Sequence, residues 1–290
     1  MQDTSRPLVG QATVVQPQGV SSKTQLWWLT AGGRTILRWL GVSLLLPFLI
    51  AALAAPRLAP ADPFASVGQP FQPPSAAYWL GTDDLGRDLL SGVIYGARTS
   101  LIVGASVTVL ALLLGVSIGL VSGFVGGWMD DGLMRLTELF QILPRFFLAI
   151  AVIALFENTL FNLVLVLALT SWSGLARIAR AEVLSLRERD FVIGARAVGV
   201  RPARIIWRHI LPNAIQPLLA SVALIVSGAI LTEAGLSFLG LGDPNTISWG
   251  YLLNNAQPFI RRAWWLAVFP GLAIVATVLG LSLILDEVRS

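Results

Sequence analysis

The sequence has no cysteine, one lysine (Lys23) and one histidine (His209) among its 290 residues. The lack of cysteine excludes disulfides, thiol nucleophiles and thiolate metal sites. One histidine cannot build a histidine metal cage. No Gly-x-x-x-x-Gly-Lys-Ser/Thr string occurs, so the chain lacks the phosphate-binding loop of an ATPase. We therefore expect no catalytic residue, no metal site, no bound cofactor and no enzyme activity in this chain.

Charged residues are also scarce, at 12% of the chain, about half the usual share of a soluble domain. Hydrophobic residues make up 55%, and the mean hydropathy is +0.75. The positive charge is local: residues 177–209 hold eight arginines and three acids, a net +5, whereas the whole chain carries +4. This concentration favours membrane topology and docking to a protein partner over binding to nucleic acid.

Six apolar runs are long enough for membrane spans, which need about 20 residues each. They cover residues 36–55, 100–124, 133–156, 158–176, 210–232 and 263–285. The third run is the weakest, because Arg135, Glu138 and Arg145 lie in its first half. We predict an all-α polytopic membrane protein with six transmembrane helices in a lipid bilayer.

Six spans place both termini on the side of the arginine-rich loop, 177–209, and loops rich in arginine face the cytoplasm. We expect a disordered cytoplasmic tail over 1–35 and the first transmembrane helix over 36–56. An extracytoplasmic segment with an interfacial helix follows over 57–97. A five-helix core that includes the loop then occupies 98–286.

The first motif is Leu80-Gly-Thr-Asp-Asp-Leu-Gly-Arg-Asp88. Thr82 or Asp83 is placed to cap a following helix. One interpretation is a structural interfacial helix with local salt bridges around Arg87; the other is part of an outer gate or a receptor contact. The candidate extracytoplasmic residues are Gly81, Thr82, Asp83, Gly86, Arg87 and Asp88.

The second motif runs from Asp190 to Asn213 and is basic and helical in period. Gly199 predicts a left-handed helix end, and Pro202 fits the first turn of the next helix. Two short helices at an angle would then present a compact knob. The other interpretation is a basic loop that only sets topology. His209 lies in this motif, where docking or capping is a better explanation than metal binding.

The third motif is Glu233-Ala-Gly-Leu-Ser-Phe-Leu-Gly-Leu-Gly242, followed by Ser248-Trp249-Gly250. Ionisable residues inside spans are functional candidates by default, although Glu233 at a span end is equally explained by exposure to water. The outer-gate or pathway candidates are Glu233, Ser237, Phe238 and Trp249. Glu138 and Arg145, seven residues apart on the predicted third span, pair with each other, pair with a partner subunit or touch the solute.

These strings resemble permease subunits of ATP-binding-cassette importers. The first is similar to the Leu-Gly-Thr-Asp-x-x-Gly-Arg-Asp signature of dipeptide, oligopeptide and nickel permeases. The second is similar to the coupling loop: Ile193-Gly194-Ala195 replaces Glu-Ala-Ala, and Arg204 to Asn213 match Arg-Ile-Ile-x-Arg-His-Ile-Leu-Pro-Asn. The resemblance covers about residues 78–285. It implies ATPase-coupling roles for Ala195, Gly199, Pro202, Arg204, Arg208, His209, Leu211 and Pro212.

The resemblance further implies the transmembrane domain of a type I importer, in the C-type permease of a peptide system. Its expected partners are a sister permease in a heterodimer, two ATPases that hold ATP and Mg, and an extracytoplasmic binding protein. The expected location is the inner membrane of a prokaryote. Nickel chelate, glutathione and short oligosaccharides remain alternative solutes. A secondary transporter, an intramembrane hydrolase and a membrane scaffold fit the residues less well.

Overall fold

The computed structural model describes residues 31–142 and 144–285, with the backbone alone for 31–35 and 285. Its α-helices are α1 Ala31–Leu58, α2 Leu89–Val125, α3 Gly127–Ile142, α4 Arg145–Leu155, α5 Leu160–Arg187, α6 Asp190–Ala197, α7 Pro202–Ile205, α8 Leu211–Phe238, α9 Trp249–Ala256 and α10 Trp265–Leu285. Five of the described helices can cross a membrane, or six if the bent pair α3–α4 counts as one span. The all-α, multi-span fold class is confirmed.

The predicted tail over 1–35 lies mostly outside the described residues. Its last five residues belong to the start of α1, so the expectation of disorder is wrong for 31–35. The first span is otherwise found where the sequence predicts it.

The third predicted span, 133–156, is wrong as a single helix. α3 and α4 meet at an angle of 82°. Pro144 explains the break, because proline lacks an N–H and disfavours the helical conformation of the residue before it. Pro144 precedes α4 with extended backbone angles, φ −63° and ψ 113°. Glu138 and Arg145 therefore lie on different helices rather than on one face.

The second span is longer than predicted, because α2 begins at Leu89 rather than near residue 100. Asp88 caps it: Asp88 Oδ2 accepts hydrogen bonds from Ser91 N at 2.8 Å and from Ser91 Oγ at 2.6 Å. Thr82 and Asp83 are not the cap, and no separate interfacial helix forms over 85–97. The predicted boundary between 97 and 98 falls inside α2.

The fourth predicted span corresponds to α5, which is also longer than the apolar run. α5 continues to Arg187, so residues 177–187 are helix and only the rest of the predicted 177–209 loop leaves the span. The polar end of α5 is stabilised within the chain. Arg180 Nε and Nη2 each lie 2.6 Å from Asp130 of α3, and Ser122 of α2 donates to the same carboxylate. This partly buried ion pair joins three helices.

The α2–α5 contact is made close by glycines. Gly115, Gly119 and Gly123 recur every four residues of α2 and face α5. A Cβ atom added at Gly119 would lie 2.5 Å from both Ala176 O and Ala179 Cβ. Such small-residue spacing allows two helix backbones to approach. The glycine stripe thus packs within this chain.

Candidate functional site

The knob is residues 190–210, at the end of the bundle where α2 and α5 terminate. Gly199 has φ +77°, which confirms the predicted left-handed helix end. Gly199 N donates to Arg196 O, and Val200 N donates to Ala195 O, both at 3.0 Å. This pair of bonds is a Schellman motif, which satisfies the last carbonyls of α6 and turns the chain sharply.

The second of the two predicted short helices is continuous with the following span rather than separate from it. Pro202 is the first residue of α7, as predicted, but a π turn over Ile206–Ile210 joins α7 directly to α8. Pro212 explains the π turn, because it has no N–H and its ring crowds the carbonyl four residues back. Asn213 Nδ2 donates to His209 O at 2.6 Å and satisfies one carbonyl of the widened turn.

The knob is fixed to the bundle by a small apolar cluster. Val192, Ile205 and Ile210 are almost fully buried against Leu120 of α2 and Val183 of α5. Arg196 also places its guanidinium carbon 5.0 Å from the centre of the Phe124 ring. The knob is therefore packed directly against α2 and α5.

The outer surface of the knob is both apolar and basic. Val198 is 79% exposed and Trp207 is 68% exposed. Among the predicted coupling residues, Gly199, Pro202, Arg204, Arg208 and Pro212 are exposed, and Ala195, His209 and Leu211 are half-buried. Exposed apolar side chains rimmed by charge indicate a protein-interaction surface.

Glu233 lies at the centre of a buried polar cluster near the opposite end of α8. Its side chain is 1% exposed, which excludes contact with bulk water. Ser237 Oγ donates to Glu233 Oε1 at 2.8 Å, and Ser100 Oγ donates to Oε2 at 3.2 Å. Ser248, the residue before α9, also hydrogen-bonds to this carboxylate. Glu233 thus ties α2, α8 and α9 together.

Trp249 belongs to the same cluster and is fully buried. Its Nε1 donates to Val93 O at 3.0 Å, and its backbone N approaches Ser100 Oγ at 3.4 Å. Phe238 is separate: it is 40% exposed, and its carbonyl accepts from Asn254 and Gln257. The structure brings together Glu233, Ser237 and Trp249, but it does not place them on an open path.

The first motif forms a loop that fastens the preceding segment to the bundle. Thr82 Oγ1 donates to Gln69 O at 2.7 Å and accepts from Gln72 N at 2.8 Å. Thr82 O accepts from Trp265 Nε1 at 3.2 Å. Gly81 and Gly86 have φ +84° and +73°, which a glycine adopts without strain.

Asp83 organises the turn of this loop rather than a helix. Its Oδ1 accepts from Leu85 N and Arg87 N, and Arg87 Nε lies 4.0 Å from its Oδ2. Burial raises the pKa of the Asp83 carboxyl above its ordinary value, although the two backbone donors act in the opposite direction. The motif therefore contains the predicted local salt bridge around Arg87, but not the predicted separate helix.

One cavity was not predicted from the sequence. It has a volume of about 310 Å³ and lies between the start of α4 and the middle parts of α5 and α8. Its lining is Arg145, Leu167, Thr170, Ser171, Gly174, Leu175, Ile178, Ser221, Leu224, Ile225, Gly228, Ala229 and Thr232. Within the described residues no cluster of three metal-ligating side chains occurs. The sequence signal that could have indicated this cavity was Pro144-Arg145, a proline followed by a charged residue inside an apolar run.

The family described as "binding-protein-dependent transport system inner membrane component" matches residues 115–288. The chain belongs to this family. Members are the membrane-spanning components of ATP-binding-cassette importers, which work with ATPase and binding-protein partners. The chain is accordingly a multi-pass inner membrane protein and a non-enzymatic component of its transport system.

Relatives of this inner membrane component cover most of its length. The dipeptide transport system permease protein DppC of Alkalihalophilus pseudofirmus is 37% identical, over 86% of this chain and 83% of its own. The di/tripeptide permease DppC of Pseudomonas aeruginosa is 39% identical, over 86% and 85%. The oligopeptide permease OppC of Bacillus subtilis is 36% identical, over 75% and 72%.

The solved inward-facing MetNI methionine ABC transporter shares the fold. Its TM-score is 0.59 at 15% identity, and the match covers 69% of this chain and 96% of that one. This likeness supports the predicted importer transmembrane fold.

Proposed function

We propose that this chain is a permease subunit that moves peptides from a binding protein across the inner membrane. The observation that carries the proposal is the similarity, over 86% of the chain, to permeases named for dipeptides and tripeptides. The alternative solutes, nickel chelate, glutathione and short oligosaccharides, are not favoured. Membership in the importer family also disfavours a secondary transporter, a hydrolase and a passive scaffold.

The full complex in this proposal contains a sister permease, two ATPases with ATP and Mg, and an extracytoplasmic binding protein. The knob docks on an ATPase through its apolar and basic surface. Residues Pro202–Phe238 form one 37-residue helical unit that begins in the knob and passes Glu233. Movement of the ATPase is thereby carried to the Glu233 cluster, where α8 meets α2 and α9. Such a displacement of packed helices is a common basis of switching between two conformations.

Reconstitution tests the function directly. The purified complex in proteoliposomes, with its binding protein on the outer face, should accumulate radiolabelled dialanine when ATP is inside. A complex whose ATPases cannot hydrolyse ATP provides the control and should show only background label. ATP-dependent uptake of a nickel chelate or an oligosaccharide, without uptake of dialanine, would contradict the peptide assignment.

The proposed orientation places both termini and the knob in the cytoplasm. Because the chain has no cysteine, single cysteines report position without background. Ser75 and Ser185 are both exposed and lie on the two predicted sides. In spheroplasts, whose inner membrane is intact, Ser75→Cys should react with a membrane-impermeant thiol reagent and Ser185→Cys should not. The reverse pattern would overturn the orientation and ATPase docking together.

A further inference from the structure

The 310 Å³ cavity lies at the middle of the described helices. Gly174 is the fifteenth of the 28 residues in α5, and Leu224 is the fourteenth of 28 in α8. A Cβ added at Gly174 would lie 3.8 Å from Arg145 Nη2, whereas one added at Gly228 would meet nothing within 4 Å. The guanidinium therefore lies at half-height of α5, in a space that two glycines keep open.

Arg145 is the one charged side chain among the described residues that line this cavity. Across the described parts of the chain, no carboxylate forms a salt bridge with it. An arginine in a membrane-spanning region is unfavourable unless it faces a cavity or an anion. Its planar guanidinium binds carboxylates through two parallel hydrogen bonds. The cavity thus favours an anionic group over a bare metal cation.

The hydroxyl groups around the cavity supply the opposite polarity. Thr170, Ser221 and Thr232 each direct the hydroxyl hydrogen to a carbonyl of their own helix, at 2.7 to 3.4 Å. Their oxygens therefore remain as hydrogen-bond acceptors. A peptide carries both complementary groups, since its C-terminal carboxylate accepts hydrogen bonds and its N–H groups donate them. The cavity volume is at the lower end of the range found for small-ligand sites.

We propose that Arg145 binds the C-terminal carboxylate of the peptide during its passage through this cavity. The inference rests on the proposed peptide function and adds the site and the group that it recognises. Arg145 is exposed and lies at the start of α4, so its replacement leaves the buried clusters intact.

The test compares trialanine with trialanine amide, which lacks the carboxylate, in proteoliposomes of the full complex. The measured quantity is the ratio of the two uptake rates. Any preference of the binding protein itself is the same for every permease variant and cancels between variants. Arg145→Gln should lower trialanine uptake, and hence the ratio, by about tenfold, because the charge-assisted hydrogen bonds from the guanidinium to the carboxylate are lost. Arg145→Lys should retain part of the preference.

Arg98→Gln is the matched control, because Arg98 is an exposed arginine of α2 that lines a separate apolar groove. It should keep the wild-type ratio. An unchanged ratio in Arg145→Gln would overturn the inference alone. Equal loss of both peptides, or loss of the assembled complex, would also overturn it and would indicate that Arg145 contacts the sister permease. If the wild-type complex moves neither peptide, the proposed function fails and the inference fails with it.

Discussion

Gly119→Leu should remove most of the folded protein, because the α2–α5 contact has no room for a side chain. The added Cβ alone would lie 2.5 Å from Ala176 O and 2.9 Å from Arg180 N, which are backbone atoms and cannot rotate away. Overpacking a helix contact costs about 1–3 kcal/mol or more. Separation of α2 from α5 would also strain the Asp130–Arg180 ion pair. Ser122, which donates a hydrogen bond to Asp130, lies one turn further along α2 than Gly119.

The measurement is the monodisperse peak of the detergent-solubilised chain, expressed without its partners, in size-exclusion chromatography. Gly271→Leu is the matched control, since it makes the same change within α10 at a position where an added Cβ meets nothing within 4 Å. That variant should give nearly the wild-type peak. A full peak from Gly119→Leu would show that the described α2–α5 contact does not hold the chain together. Loss only in the presence of a sister permease would place the glycine stripe at a subunit interface instead.

Local signals in the sequence predicted the local structure well. The conformation of Gly199 and the place of Pro202 follow from backbone restrictions of glycine and proline, which need no distant partner. The apolar runs likewise identified the membrane helices, because the required length is set by the bilayer. Pro144 carried the same kind of signal for a break, but the length of the apolar run around it favoured a single span.

Features that depend on distant partners were not predictable in this way. Glu233 accepts a hydrogen bond from Ser100, which lies 133 residues earlier in the sequence. Its burial therefore could not be predicted from its position at the end of an apolar run. The hydroxyl of Thr82 forms hydrogen bonds with the backbone of Gln69 and Gln72, so it does not cap a helix as the sequence had suggested. The cavity requires the packing of α4, α5 and α8 together. Each of these depends on which helices become neighbours, which composition and spacing do not encode.

Gly199→Asp should abolish uptake while the chain still inserts and folds. An added Cβ at Gly199 meets no atom within 4 Å, so the change causes no clash inside the chain. The positive φ remains unfavourable for a residue with a side chain, at about 1 kcal/mol. The larger effect arises at the surface, because Arg196, Arg201 and Arg204 are exposed and lie within five residues of Gly199, and the new carboxylate would neutralise part of their charge. Contact with an ATPase that is selected by charge and shape would then weaken.

Gly199→Asn separates charge from backbone strain, because asparagine has nearly the same shape as aspartate and tolerates the left-handed conformation. We expect Gly199→Asn to retain most ATPase binding and uptake. Gly199→Asp should retain wild-type membrane levels but lose ATPases during purification, and the reconstituted complex should lose stimulation of ATP hydrolysis by the peptide-loaded binding protein. Equal defects in both variants would assign the effect to the turn geometry rather than to charge. Stimulated hydrolysis and stable ATPase binding in Gly199→Asp would mean that the knob does not transmit ATPase movement, since an altered contact surface cannot leave a transmission element unaffected.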